Sequence, residues 1–175
     1  MVSTSTETAP LVAPQDFRRA MSSFATGVNV ITVHDTDGQP HGMTATAFCS
    51  VSGDLALLLV CVNRDSRTRE RIATSGRFGV SMLSGGSAQI SDHCARPGAD
   101  KRLPREWLVD EGAAGAPVLA SAIAHADCSV HEQQDVGTHT VFIGRVEQLY
   151  FGPDTEPLVY FRGGYHRLQR EQTDY

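Results

Sequence analysis

The sequence predicts a mainly β protein, an antiparallel barrel of six or seven strands with a few short helices at its periphery. Three observations lead there. Apolar residues come in short, β-rich runs separated by clusters of Gly, Pro, Asn and Asp. Segments of helical spacing are few and short, so strands do not alternate with the long helices that a parallel sheet needs. A chain of 175 residues suits one domain with one large core.

Phe17, Ala20, Met21 and Phe24 recur at helical spacing and predict a helix over residues 16–24, with Pro14 near its start and Gly27 as its end. Residues 28–33 read as a strand. Asp35-Thr36-Asp37-Gly38 is a turn, which makes a hairpin with the next strand, residues 42–52. Residues 55–62 are continuously apolar, as in a strand buried on both faces. Asp65 or Ser66 can cap a helix running to Ser75, with Gly76 just past its end. A strand over 78–83 and a short helix over 87–94 follow. Pro and Gly punctuate a loop over 95–117. Ala122, Ala124, Ala126, Cys128 and Val130 then alternate with Ile123, His125, Asp127, Ser129 and His131, a strand with one dry and one mostly polar face. A turn at Val136-Gly137 leads into a strand over 138–146, and 157–162 supplies the last. Residues 1–14 and 169–175 read as tails flanking a single domain over 15–168.

Composition narrows the function. A net charge of −5 with 20% charged residues argues against a nucleic-acid surface, which needs clustered positive charge. No apolar run approaches the roughly 20 residues of a membrane helix. Residues 1–14 have neither the basic start nor the apolar centre of a targeting peptide. Cys49, Cys61, Cys94 and Cys128 lack the spacing of a disulfide framework, so a reducing cytoplasm is the expected setting.

The motifs that commonly carry chemistry fail on geometry. His125, Cys128 and His131 are spaced like metal ligands, but on a strand Cys128 faces away from both histidines. No metal site is expected. His93-Cys94 cannot pair as base and nucleophile, because adjacent side chains diverge on a helix. Gly85-Gly86 opens no long helix of a βαβ unit, and no Walker loop or GxSxG elbow occurs.

Two segments remain. In Gly42-Met43-Thr44-Ala45-Thr46-Ala47-Phe48-Cys49-Ser50-Val51-Ser52, a continuous strand would put Thr44, Thr46, Phe48 and Ser50 on one face and Met43, Ala45, Ala47 and Cys49 on the other. A row of hydroxyls over small side chains suits a flat, polar heterocycle carrying phosphate, although Thr and Ser also occur in strands without any such role. Asn63-Arg64-Asp65-Ser66-Arg67-Thr68 opens a helix after a strand, where backbone N–H groups, hydroxyls and arginines attract anions. The plainer alternative is a capped helix with a solvated basic face.

The order of these segments resembles the short flavin reductases of the FMN-binding split-barrel family, the reductase components of two-component flavin monooxygenases. The match runs from about Phe17 to Tyr165. It rests on Phe17-Arg18, Thr26-Gly27-Val28, the 42–52 segment, the arginine-rich Ser66/Thr68 segment and Arg77-Phe78-Gly79-Val80. It continues through Gly137-Thr138-His139-Thr140, Leu158-Val159-Tyr160-Phe161 and Gly164-Tyr165. The resemblance implies a Greek-key split barrel and an NAD(P)H:flavin oxidoreductase that reduces FMN or FAD and releases it to a partner monooxygenase. NADH is the implied donor, with NADPH as the alternative, and a homodimer with the flavin site near the subunit interface is the implied assembly.

Carried over by position, the resemblance places Thr44, Ala45, Thr46, Ala47, Cys49 and Ser50 along the isoalloxazine and ribityl chain. Asn63, Arg64, Ser66, Arg67 and Thr68 fall at the flavin phosphate. Ala95, Arg96 and Lys101 fall near the phosphates or the adenine end. His139 approaches the nicotinamide as the catalytic position, and Gly163 and Tyr165 border that pocket.

The chain also departs from the family. Thr138 stands where many members carry Asp, Cys49 replaces a common hydroxyl residue and Leu103 replaces an aromatic. Gly53-Asp54-Leu55-Ala56 replaces a Pro-rich strand entry. Two other functions share the fold: flavin binding without turnover, and reduction of ferric chelates.

Overall fold

The computed structural model describes residues 11–98, 100–109, 115–153 and 155–168. Residues 1–10 of the expected N-terminal tail (1–14) and all of the expected C-terminal tail (169–175) lie outside them, and Pro14, the last residue of the former, begins a helix. Helix α1 (Pro14–Met21) begins with Pro14 in its first turn, where a missing N–H is harmless. It stops short of the expected Phe24, and the residues expected to end it form the short strand β1 (Thr26–Gly27). No residue of α1 is buried. Phe17 and Met21, and Phe24 just beyond the helix, are 59%, 53% and 72% exposed.

Strands β2 (Asn29–His34) and β3 (Pro40–Ala45) form the expected hairpin, with Gly38 at φ 78° in the turn. The second strand does not continue to Ser52. It breaks at Thr46-Ala47 and resumes as β4 (Phe48–Ser52). The break shifts the side-chain phase, so Phe48 packs on the core with Met43 and Ala45 rather than sharing a face with Thr44. Ala47 and Cys49, expected on the dry face, are exposed.

Next come β5 (Leu57–Asn63), α2 (Arg67–Ser75), β6 (Arg77–Leu83), α3 (Ala88–Ala95), β7 (Ala122–Val136) and β8 (His139–Phe151). β5 is not buried on both faces: Leu58, Val60 and Val62 are buried, while Leu57, Leu59 and Cys61 are only partly covered and Leu55 precedes the strand. The single last strand expected is two, β9 (Val159–Phe161) and β10 (Gly164–His166), paired with β1 in a three-stranded sheet.

The main sheet has seven antiparallel strands in the order β3-β2-β6-β7-β8-β5-β4. β3 and β4 are consecutive in the chain yet stand at opposite ends of that order, with only Thr46 and Ala47 between them. The sheet therefore curls until its ends meet, as a barrel split along β3. The Cys61 amide donates across the join to the Ala47 carbonyl at 3.1 Å. The connectivity is of Greek-key type: β6 pairs with β2 rather than with β5, and β8 returns to β5.

Ile31, Val33, Val60, Val62, Phe78, Val80, Cys128 and Phe142 fill the barrel, and Ile72 enters the same cluster from α2. Each such side chain contributes on the order of 2 kcal/mol. Ser66 caps α2 by accepting from the Arg69 amide at 3.1 Å. Gly76, at φ 68°, ends it by donating to the Ile72 carbonyl at 2.8 Å. A second cluster outside the barrel joins Val30 and Leu83 to Ile90 and Cys94 of α3, Leu103 and Leu119.

The polar face predicted for β7 is buried at His125 and Asp127 and exposed at His131. Thr32, Ser81, His125 and Asp127 are all buried. The segment around 115–119 packs over them, with Ala116 N–H donating to Asp127 at 3.2 Å and Leu119 N–H donating to Ser81 Oγ at 3.4 Å. Arg77 pairs with Asp127 at 2.6 Å, and Ser81 Oγ lies 2.8 Å from His125 Nδ1. Burial holds His125 neutral, its pKa pushed down to about 4. In the unfolded chain this group takes a proton near pH 6.5. Stability should therefore fall as the pH drops from about 6.5 towards 4, by up to ~3 kcal/mol. Denaturant titrations from pH 7 to pH 4 should show that slope, and His125→Gln should flatten it.

Candidate functional site

The split in the barrel is a groove of about 690 Å³. One wall is β3 and the linker beyond it, from Met43 to Ala47. Cys61 and Asn63 at the end of β5, Asp65 to Thr68 at the start of α2, and His139 at the start of β8 form the other. Ala95, Pro97, Gly98, Lys101 and His41 close one end.

Among the described strands β3 pairs with β2 alone, so its outer backbone edge faces away from the sheet. Its first part is covered: Gly42 N–H donates to the Lys101 carbonyl at 3.0 Å and Leu103 N–H to the Pro40 carbonyl at 2.9 Å. By strand alternation the Thr44 amide points the same way, into the groove. The side chains there are small, so a flat molecule can approach the backbone closely.

Asn63 and Ser66 organise the start of α2. Asn63 Oδ1 accepts from Asp65 N–H at 2.9 Å, and Ser66 Oγ donates to the Asn63 carbonyl at 2.7 Å. The amides of Arg67 and Thr68, in the first turn, have no intrahelical acceptor, so positive potential faces the groove. The arginines divide. Arg67 lines the groove, whereas Arg64 binds the Gly137 carbonyl at 3.3 Å and pairs with Asp135 at 3.7 Å. Arg69 also pairs with Asp135, at 3.9 Å, and Arg71 pairs with Asp35 at 2.5 Å. The Thr36 amide, and then Arg71, hold the Asp35 carboxyl below its ordinary range, so a carboxylate stands near the cationic end.

His139 is the first residue of β8, after a two-residue turn in which Gly137 has φ 56°. Its Nδ1 lies 2.9 Å from Thr138 Oγ1. The hydroxyl thus orients the ring where many members of the resembled family carry a carboxylate. A second recess, of about 380 Å³, shares Thr44, Thr46 and Ala95 with the groove and adds Gly163, Tyr160 and Tyr165. The Tyr165 hydroxyl donates to Asp92 at 2.7 Å and lies 2.9 Å from Ser91 Oγ, and Thr44 Oγ1 donates to the Ser91 carbonyl at 2.6 Å.

Thr44, Ala45, Thr46, Ala47, Asn63, Ser66, Arg67, Thr68, Ala95, Lys101 and His139 therefore line one groove, and Gly163 and Tyr165 line the adjoining recess. Cys49, Ser50, Arg64 and Arg96 line neither. Cys49 and Ser50 lie on exposed β4 beyond the break, and Arg96 sits just past α3. His41, Cys61 and Asp92 border these cavities without having been singled out in the sequence. No motif marks them, and only the covering of β3 by 101–103 and the Tyr165 contact reveal two of them. Among the described residues no three His, Cys, Asp or Glu side chains form a metal-holding group, and no helix is long and apolar enough to cross a membrane.

The family model described as "Flavin reductase like domain" matches residues 21–169. The chain belongs to this family. It is 41% identical to the flavin reductase (NADH) of Kitasatospora aureofaciens over 93% of this chain and 85% of the relative. It is 36% identical to the NADH-dependent FAD reductase of Streptomyces globisporus, over 91% and 90%. Among solved structures it resembles the flavin reductase PheA2, with a TM-score of 0.80 and 36% identity over 91% of this chain and 100% of that one. It also resembles the Streptomyces globisporus NADH:FAD oxidoreductase SgcE6 in complex with NAD and FAD fragments, with a TM-score of 0.82 and 34% identity over 94% and 100%. The split-barrel fold of the flavin reductase-like family is thus the fold of this chain.

The cysteines report on the groove. Burial pushes the Cys94 and Cys128 thiols up to about 12 and raises Cys61, while Cys49 is exposed. Thiolates are the reactive form, so at pH 8 a thiol reagent should label Cys49 first, Cys61 more slowly, and Cys94 and Cys128 only after unfolding. Added flavin should slow Cys61 and leave Cys49 unchanged, as followed by mass spectrometry of labelled peptides.

Proposed function

We propose that this chain is an NADH-dependent flavin reductase that reduces FMN or FAD and releases the product to a separate monooxygenase. The observation that carries this reading is the groove itself: an unpaired strand edge with small side chains, running to a helix N-terminus. The residues present fit a flavin. Thr44, Ala45, Thr46 and Ala47 leave room for a planar ring, and the β3 edge offers backbone donors and acceptors to its rim. The α2 amides, Ser66, Thr68 and Arg67 suit a phosphate, with Asn63 holding the turn. Arg64 supports the site indirectly by tying that turn to the β7–β8 hairpin.

When bound, the flavin and nicotinamide supply the redox chemistry themselves, N5 of one accepting a hydride from C4 of the other. The protein's task is alignment at roughly 3–3.5 Å. His139, fixed through Nδ1 by Thr138, keeps its other ring nitrogen for the nicotinamide carboxamide. Gly163 and Tyr165 bound the recess into which that nucleotide extends. A groove open along its length suits a flavin that must leave.

The working unit is a homodimer in the cytoplasm. The exposed apolar side chains of Phe17, Met21 and Phe24, with Val51, Leu149 and Phe151, need a covering surface, and a second copy supplies it. All four cysteines are free thiols, as a reducing compartment keeps them.

Anaerobic mixing of the protein with NADH and flavin should bleach the flavin absorbance band, whereas a module that only binds flavin would quench its fluorescence without bleaching. Stopped-flow rates for His139→Ala should fall at least about tenfold in kcat/KM for NADH, with flavin affinity changed much less. Sedimentation should give a dimer, and Phe17→Ser with Met21→Glu should shift it to monomer.

A further inference from the structure

Among the described residues His41 is the one buried histidine that borders the groove. It is 3% exposed, and its Nδ1 has no hydrogen-bond partner. It sits at the closed end, where the 101–103 segment covers β3. Lys101 lines the same end, Arg67 lines the α2 wall, and both cations act electrostatically on His41. A buried ring nitrogen without a partner is destabilising in the empty protein. His41 therefore has something to gain when a ligand changes its surroundings.

We propose that His41 is a proton-accepting positioning residue for the phosphate end of the flavin: when the phosphate seats between the α2 N-terminus and Lys101, the imidazole takes up a proton from solvent. The inference rests on the groove being the flavin site. Phosphate alone would be recognised by the helix and by Arg67. What His41 adds is a switchable positive charge that exists only while the anion is present, so the empty site does not have to hold a buried cation.

The charges around His41 set the sign. Burial lowers its pKa, as do Arg67 from α2 and Lys101 from the loop, while Asp35 of the β2–β3 turn and Asp100 raise it. Asp35 is already paired with Arg71, with Arg67 close by, and Asp100 with Arg102. The Cys94 thiol of α3 is kept protonated by burial and adds no charge. With the groove empty, the ring is neutral at pH 7. An anion nearby favours the charged form, so phosphate binding draws a proton and affinity rises as pH falls.

FAD and riboflavin separate this effect from events at the ring end, including any at His139. The FAD diphosphate carries no ionisation near neutral pH, and riboflavin has no phosphate. Calorimetric titration in buffers of different ionisation enthalpy should show proton uptake at pH 7 with FAD and none with riboflavin. Between pH 6 and pH 8 the Kd for FAD should rise by about 3- to 10-fold, while that for riboflavin stays level. His41→Gln should abolish both the uptake and the slope. Equal proton counts for the two flavins in the wild type would overturn the proposal without need of the variant. So would a slope that survives in His41→Gln. If neither flavin gives binding heat or protects Cys61, the groove is not the flavin site and the function proposed above falls with it.

Discussion

The unpaired outer edge of β3 is the constraint from which the site follows. Backbone N–H and C=O groups cannot be left dry and unbonded, so an edge strand inside a nearly closed barrel must find partners. This chain satisfies the first half of the edge internally, with Lys101 and Leu103, and leaves the part around Thr44 facing a groove. The break at Thr46-Ala47 makes that possible.

Around that edge, rigid elements supply the remaining groups. α2 is capped at both ends by local signals, and Ile72 anchors it in the barrel. His139 is held by a tight hairpin turn rather than by a mobile loop. Gly42 shows how closely α3 is pressed on the back of β3: a Cβ there would lie 2.8–2.9 Å from Cys94 Sγ, Leu103 and Val30. The contact fixes the wall of the groove from behind, through Cys94 on one side and the Thr44–Ser91 bond on the other.

Much of this was legible in the residues because the signals were local. Ser66 and Gly76 bracket α2, Gly38 marks its hairpin, and Gly137 marks the turn that presents His139. The family's own pattern pointed to Thr44 through Ala47 and to the Ser66 segment. Other features depend on distant parts of the chain. Thr46 and Ala47 carry no breaker residue, so the kink is imposed by barrel closure and not by propensity. The polar face of β7 is legible in the alternation, but the burial of His125 and Asp127 is not, because it comes from residues near 115–119 crossing over them. His41 looks like an ordinary residue beside a proline, since its burial comes from the 101–103 segment. The apolar stripe of α1 is evident in the sequence, but no residue of that helix is buried in the fold.

The partial covering of β3 has a further consequence. An open strand edge is a template on which another polypeptide can add itself, and long bare edges invite that. Here the 101–103 segment occupies the first half and the chain bends away after Ala45, so the stretch left bare is too short to nucleate such an addition. The same trimming that shapes the cleft thus guards the molecule against fibrous self-association when no small molecule occupies it.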